Sequence, residues 1–105
     1  MGMETNHELN LEQICMEMIS SSGTARGLLL EAMDYVKPKN EQKIRELFEE
    51  ANTLLRRAHR SQTSLMTGET NGRKVEMSVL VVHAQDHLMT TLTIRDLVEK
   101  LTEVL

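Results

Sequence analysis

The chain has 105 residues, a formal net charge of −4 and a single cysteine, Cys15. The length suits one domain, taken here as residues 1–105, and the acidic balance argues against nucleic-acid binding. We expect a cytoplasmic protein without membrane insertion, because a lone cysteine suits a reducing compartment and the sequence contains neither a signal peptide nor an apolar run of about 20 residues.

The first helix is predicted over about residues 9–36, where apolar residues recur at spacings of three and four. Arg26 interrupts this apolar stripe. Two interpretations of it are open: an arginine that snorkels or pairs with a carboxylate, or a positive charge held near a phosphoryl group. Gly23 and Gly27 each cost about 1 kcal/mol relative to alanine inside a helix. A close approach between helices would account for them.

The second helix is predicted over about residues 41–66. The segment KPKN at 37–40 separates it from the first helix, because proline disfavours helical backbone in the residue before it. Asn40 is predicted to cap the new helix. His59 flanks the apolar stripe of this helix, and we expect it to be a structural histidine.

The third helix is predicted over about residues 74–105, and it carries two apolar stripes. The first is a heptad seam, formed by Val75, Val79, Val82, Asp86, Met89 and Thr93. The second stripe is offset around the helix and contains Met77, Leu80, Ala84, His87, Thr91, Ile94, Val98 and Leu101. One stripe can pack on the first two helices, which leaves the other without a partner in its own chain. The sequence therefore predicts an all-α antiparallel three-helix bundle that self-associates through its third helix.

The same helix places His83, Asp86 and His87 within an apolar segment. Such groups are costly to bury unless they are paired, bound to a metal or functional. His83 lies beside the seam, and a neutral imidazole can act as a nucleophile and accept a phosphoryl group near pH 7. Two alternatives stay open: a structural role of His83, and binding of a transition metal by His83, Asp86 and His87.

Asp86 lies on the seam itself, so in a symmetric oligomer its copies would meet near the axis. Crowded carboxylates there would bind a divalent cation, for which oxygen ligands suit Mg²⁺ or Ca²⁺. The alternative is a polar residue that sets the register of the helices. The heptad spacing alone does not decide between these two roles.

Three segments carry a more specific pattern: SGTAR at 22–26, AHRSQT at 58–63 and VHAQDHLMT at 82–90. In this order they resemble signature segments of the lactose/cellobiose-type enzyme IIA of the bacterial phosphoenolpyruvate-dependent sugar phosphotransferase system. The third segment is the most specific, and the resemblance extends over about residues 11–105. The turn before the second helix departs from the family, because KNE at 39–41 replaces the usual Gly-Asp-Phe.

The resemblance implies three-helix subunits that assemble as a homotrimer, which is a nine-helix bundle. It implies that His83 takes a phosphoryl group from phospho-HPr and passes it to a cysteine of the cognate IIB, and that the membrane component IIC acts later on the sugar. That sugar would be a β-linked disaccharide such as cellobiose, lactose or chitobiose. Asp86 from each of three subunits would hold Mg²⁺ or another divalent cation. Gln85 and His87 would support His83.

Two other functions fit the residues apart from this resemblance. A histidine phosphotransfer module of another signalling relay is also helical, but it needs neither a trimer nor an aspartate near its histidine. A non-catalytic helical oligomer that binds metal needs no phosphoryl donor. Phosphorylation through HPr distinguishes a sugar-system component from both.

Overall fold

The computed structural model describes the backbone of residues 2–105 and the side chains of residues 10–105, and within these it contains three α-helices and no strand. The helices are α1 (Gly2–Ala32), α2 (Glu41–Thr70) and α3 (Val79–Val104), and α1 is followed by a 3₁₀ turn over Met33–Tyr35. The predicted all-α fold of three helices is confirmed. In this part of the chain, none of the helices is both long and apolar enough to cross a membrane.

Both ends of α1 differ from the prediction. The helix begins at Gly2 rather than near residue 9. It ends at Ala32 rather than near residue 36, because the chain tightens into the 3₁₀ turn, where the Val36 N–H donates to the Met33 carbonyl at 3.3 Å. Pro38 follows two residues later and prevents the α-helix from continuing.

The other helix ends differ for reasons of capping. α2 continues past residue 66 to Thr70, and the Asn71 N–H closes it by donating to the Thr67 carbonyl at 3.0 Å. α3 begins at Val79 rather than near residue 74, because the Ser78 hydroxyl accepts the Val81 N–H at 3.2 Å and caps the helix there.

The turn between α1 and α2 contains a lysine in an unfavourable backbone conformation. Lys39 has φ 59°, in the left-handed region that favours glycine, and it is the one non-glycine residue with positive φ that the structure describes. The departure from the family's glycine therefore falls on a position that requires glycine-like backbone. Asn40 accepts the Lys43 N–H at 3.1 Å, which confirms the predicted cap of α2.

The core lies along α1, which packs against both other helices, whereas α2 and α3 contact each other little. Its buried side chains are Cys15, Met18, Ala25, Leu29, Ala51, Leu55, Ala58, Leu65, Val81, Ala84 and Leu88. The result is an elongated chain fold with extents of 57 × 21 × 19 Å. Because α1 holds α3 from one side, the opposite side of α3 faces outward.

Burial separates the two predicted stripes of α3. The stripe that contains Ala84 and Thr91 is packed inside the chain. The heptad seam is uncovered, with 87% of Val79, 54% of Val82 and 51% of Met89 exposed. The predicted division into a packed and an unpartnered stripe is therefore confirmed within α3. Val75 and Met77 precede the helix and do not follow this division.

Candidate functional site

His83 and His87 lie one turn apart on α3, and their rings are in edge contact. The ring centroids are 4.8 Å apart and the ring planes make an angle of 72°. His83 is exposed, whereas His87 is half-buried. A partner protein can therefore reach the ring of His83, whereas the ring of His87 is partly covered by its own chain.

His87 is the more perturbed of the two residues. Its Nδ1 atom is buried, and the described part of the chain offers this atom no hydrogen-bond partner. Burial lowers the pKa of His87, and the positive charge of Arg26 and the neighbouring His83 lower it further, while Asp86 acts in the opposite direction. This environment favours the neutral imidazole of His87.

Gly23 lies opposite this histidine on α1. A Cβ atom added at Gly23 would lie 3.9 Å from Cε1 of His87, which is an ordinary van der Waals distance. A Cβ at Gly27 would meet none of the described atoms within 4 Å. Among the described atoms, no approach of the helices therefore requires a glycine at either position, because an alanine would fit at both.

Arg26 joins α1 to α3 at the turn that follows His87. Its Nη2 donates to Thr90 Oγ1 at 2.6 Å, to Thr91 Oγ1 at 3.0 Å and to the His87 carbonyl at 3.3 Å. Its Nε donates to Thr91 Oγ1 at 3.2 Å. The guanidinium is therefore fixed by hydroxyl and carbonyl oxygens of α3.

The charge of Arg26 has no ionic partner within the described chain. The ion pairs found there join Arg57 to Glu17 and Arg95 to Asp96. The carboxylate pairing that the first interpretation of Arg26 allowed is therefore not found among the described side chains, and the second interpretation, a charge held near a phosphoryl group, stays a prediction. The positive charge lies at the turn of His87, whose carbonyl it contacts.

Gln85 lies on a different side of α3 from His83. Two residues along a helix correspond to a rotation of about 200°. The Gln85 Oε1 accepts a hydrogen bond from Nε2 of the buried Gln62 on α2 at 2.7 Å. Within one chain the structure does not bring Gln85 to His83, so its supporting role stays a prediction. Gln62 was not singled out from the sequence, although it belongs to the AHRSQT segment.

Asp86 is exposed on the uncovered seam, where Val82 and Met89 flank it along the heptad. No ion pair of its carboxylate is found within the described residues. No group of three or more His, Cys, Asp or Glu side chains suited to a metal ion occurs in that part of the chain either. The structure thus gives no support to a metal site made by His83, Asp86 and His87 of one chain, whereas the free carboxylate of Asp86 suits a cation shared with other chains.

His59 is exposed rather than packed as a structural histidine, so that expectation is wrong. It lines a groove of about 470 Å³ between α2 and α3. The other lining residues are Asn52, Leu55, Arg56, Leu92, Arg95 and Glu99. The groove exists because these two helices pack on α1 rather than on each other.

Comparison with known proteins points to one family. Residues 13–105 match the family described as PTS system, lactose/cellobiose specific IIA subunit. The chain is 41% identical over 88 residues to the lactose-specific EIIA component of Staphylococcus epidermidis, which covers 84% of this chain and 85% of that protein. It is 36% identical over 94 residues to the lichenan-specific phosphotransferase enzyme IIA component of Bacillus subtilis, which covers 90% of this chain and 86% of that protein.

A solved structure agrees with the sequence relatives. The fold superimposes on the crystal structure of the cellobiose-specific enzyme IIA of Bacillus anthracis with a TM-score of 0.85 at 36% identity, covering 90% of this chain and 86% of that one. The family match over residues 13–105 includes most of α1, all of α2 and α3, and the VHAQDHLMT segment that carries the two histidines. The chain therefore belongs to the lactose/cellobiose-specific IIA family of the phosphotransferase system and is a IIA component of sugar phosphotransfer.

Proposed function

We propose that His83 carries the phosphoryl group, which it accepts from phospho-HPr and passes to a cysteine of the cognate IIB. The observation that carries this proposal is the exposed imidazole of His83, 4.8 Å from the ring of a half-buried second histidine. His87 is a poorer acceptor because its Nδ1 is enclosed. His59 lies on α2, in a groove lined by residues of α2 and α3 outside the VHAQDHLMT segment.

In the proposed reaction, a lone pair of the His83 imidazole attacks phosphorus in line. The new N–P bond forms as the bond between phosphorus and its donor atom on HPr breaks. In the second step the thiolate of IIB attacks, the N–P bond breaks and the imidazole leaves. Such transfers depend mainly on positioning and charge stabilisation. HPr and IIB would use overlapping surfaces, because both must reach the same exposed ring.

We further propose that the chain forms a homotrimer, a nine-helix bundle in which the seam of α3 faces the axis. The exposed Val79, Val82 and Met89 support this arrangement, because a contiguous apolar stripe marks an interaction surface. Asp86 from three subunits would then meet at the axis. Its unpaired carboxylate suits Mg²⁺ or another divalent cation, which when bound would neutralise the crowded charges.

The proposed pathway is uptake of a β-linked disaccharide such as cellobiose, lactose or chitobiose. The similar proteins carry the names of lactose, lichenan and cellobiose, all of which contain β-linked sugars. The relay would take place in the cytoplasm, where the buried free thiol of Cys15 stays reduced.

Family membership favours this function over a phosphotransfer module of another signalling relay. Family membership likewise favours it over a non-catalytic metal-binding oligomer, because the similar proteins are named as components of the phosphotransferase system.

Phosphorylation of purified protein tests the proposal. The chain is incubated with enzyme I, HPr and labelled phosphoenolpyruvate, and then with IIB. We expect a label that is acid-labile and base-stable, that IIB removes, and that is absent from His83→Ala. His59→Ala, which also replaces an exposed histidine, should be labelled as the wild type is. Label that persists in His83→Ala would show that the assignment is wrong.

A further inference from the structure

The contact between Arg26 and α3 is more elaborate than the packing of a half-buried arginine requires. Four hydrogen bonds leave two nitrogens of the guanidinium and end on three oxygens of a single helical turn. The fork geometry of arginine makes such a multiple contact rigid, and lysine could not reproduce it.

The acceptors are themselves fixed. The Thr90 hydroxyl donates to the Asp86 carbonyl at 2.6 Å, and the Thr91 hydroxyl donates to the His87 carbonyl at 2.7 Å. Each hydroxyl has one proton, which is thereby committed to the backbone, so its lone pairs are left for Arg26. The network thus connects the guanidinium to the carbonyls of Asp86 and His87.

The positive charge at this position is not neutralised within the described chain, because Arg26 takes no part in the ion pairs found there. The guanidinium lies at the turn of His87, because its Nη2 donates to the His87 carbonyl at 3.3 Å. The ring of His87 in turn lies 4.8 Å from the ring of His83, between their centroids.

We propose that Arg26 is a positioning residue of the phosphotransfer site: its fixed guanidinium holds the His87 turn against α1, so that His87 backs His83, and supplies the positive charge that favours the phosphorylated state of His83. This inference rests on the proposed role of His83. A phosphoryl group adds about two negative charges near pH 7, and a fixed cation nearby lowers the free energy of that state.

The first test is the equilibrium between phospho-HPr and the chain, measured by the fraction of label on each protein after the reaction has reached equilibrium. We expect Arg26→Gln to shift this equilibrium about tenfold towards phospho-HPr. The variant removes one positive charge near the phosphoryl group of His83, and solvent screens that charge only partly. Arg26→Lys keeps the charge and should recover part of the shift. Arg57→Gln removes an exposed arginine that pairs with Glu17, away from the two histidines of α3, and should leave the equilibrium unchanged.

The second readout is the recovery in Arg26→Lys. A role of Arg26 in packing alone would not produce a recovery that follows the charge of the side chain.

The outcomes separate the two proposals. If the wild type carries no label on His83, the proposed function is wrong. If the wild type is labelled there but Arg26→Gln keeps the wild-type equilibrium, only the role of Arg26 is overturned. If Arg26→Gln fails to fold, Thr90→Val is used instead. This variant removes the exposed hydroxyl that accepts a hydrogen bond from Arg26 Nη2 at 2.6 Å, and we expect a few-fold shift of the equilibrium towards phospho-HPr. An unchanged equilibrium in Thr90→Val would then overturn the inference.

Discussion

The two faces of α3 are built from similar apolar residues but have opposite surroundings. Leu88 and Ala84 are enclosed by their own chain, whereas Val82 and Met89, on the same turns, are half exposed. Apolar stripes of this length are seldom left in water. We infer from this difference that the inner face stabilises the fold of the chain, whereas the outer face is the surface on which another chain would pack.

The polar groups of the site are distributed between these faces. Thr91, which binds Arg26, lies on the inner face, and Asp86 lies on the outer face. His83 is exposed and touches the half-buried His87, so it stands at the border between the two. Assembly and phosphotransfer would therefore use different sides of one helix.

The largest effect is expected from a charge on the outer face. Val82→Asp should abolish self-association, because carboxylates from each subunit would be buried together at a cost of several kcal/mol per charge. Sedimentation velocity should then show single chains. Thr63→Asp places the same charge at an exposed position of α2 and should not change the assembly. Val82→Asp protein that sediments as the wild type would contradict the role of this face.

A cavity on the inner face should instead weaken the subunit itself. Leu88 is 0% exposed, and Leu88→Ala should lower the free energy of unfolding by about 3 kcal/mol per chain. Leu105, which is 73% exposed, provides the matched control, for which we expect little change. Urea denaturation measures both variants. Equal losses in the two would mean that Leu88 is not a core residue.

Replacement of Asp86 by an apolar residue tests whether the assembly depends on the negative charge at this position of the seam. Asp86→Leu should keep the assembly and stabilise it by about 2 kcal/mol, because apolar replacement of buried like charges is often stabilising. The wild type should gain thermal stability from Mg²⁺, and this gain should be absent from Asp86→Leu. Dissociation of Asp86→Leu into single chains would argue against an axial position.

The smallest effect is expected in a turn that belongs to neither face. Lys39→Gly relieves a positive φ but adds backbone freedom to the unfolded chain, which leaves a net stabilisation of about 0.5 to 1 kcal/mol. Gly72, at φ 88°, is the reciprocal control, because Gly72→Ala should destabilise the chain by about 1 kcal/mol. Both variants should retain wild-type assembly and phosphorylation. If either variant changed assembly or phosphorylation, a small change in stability would be enough to produce the effects that are assigned above to the two faces of α3.

The fold could be predicted to a large extent, because helix periodicity depends on local sequence alone. The spacing of apolar residues predicted three helices, and the presence of two stripes on α3 predicted that one of them has no partner in its own chain. The start of α3 was missed because the apolar Val75 continues the pattern, whereas the true boundary depends on one hydroxyl, that of Ser78.

Less of the site could be predicted, because its contacts join distant parts of the chain. The VHAQDHLMT motif indicated His83 and Asp86, and their proposed roles still await experiment. The bonds of Arg26 to Thr90 and Thr91, and that of Gln62 to Gln85, depend on which helix faces which. His59 was misjudged for the same reason: an open groove between α2 and α3 leaves it exposed, and no local pattern reveals that groove.

Native mass spectrometry of the phosphorylated protein tests the central claim most directly, because it reports assembly and phosphorylation in one spectrum. We expect a species of three chains that carries up to three phosphoryl groups. His83→Ala should give the same three-chain species without phosphate. Phosphate retained in His83→Ala, or a phosphorylated wild type found only as single chains, would contradict the separation of the two functions on α3.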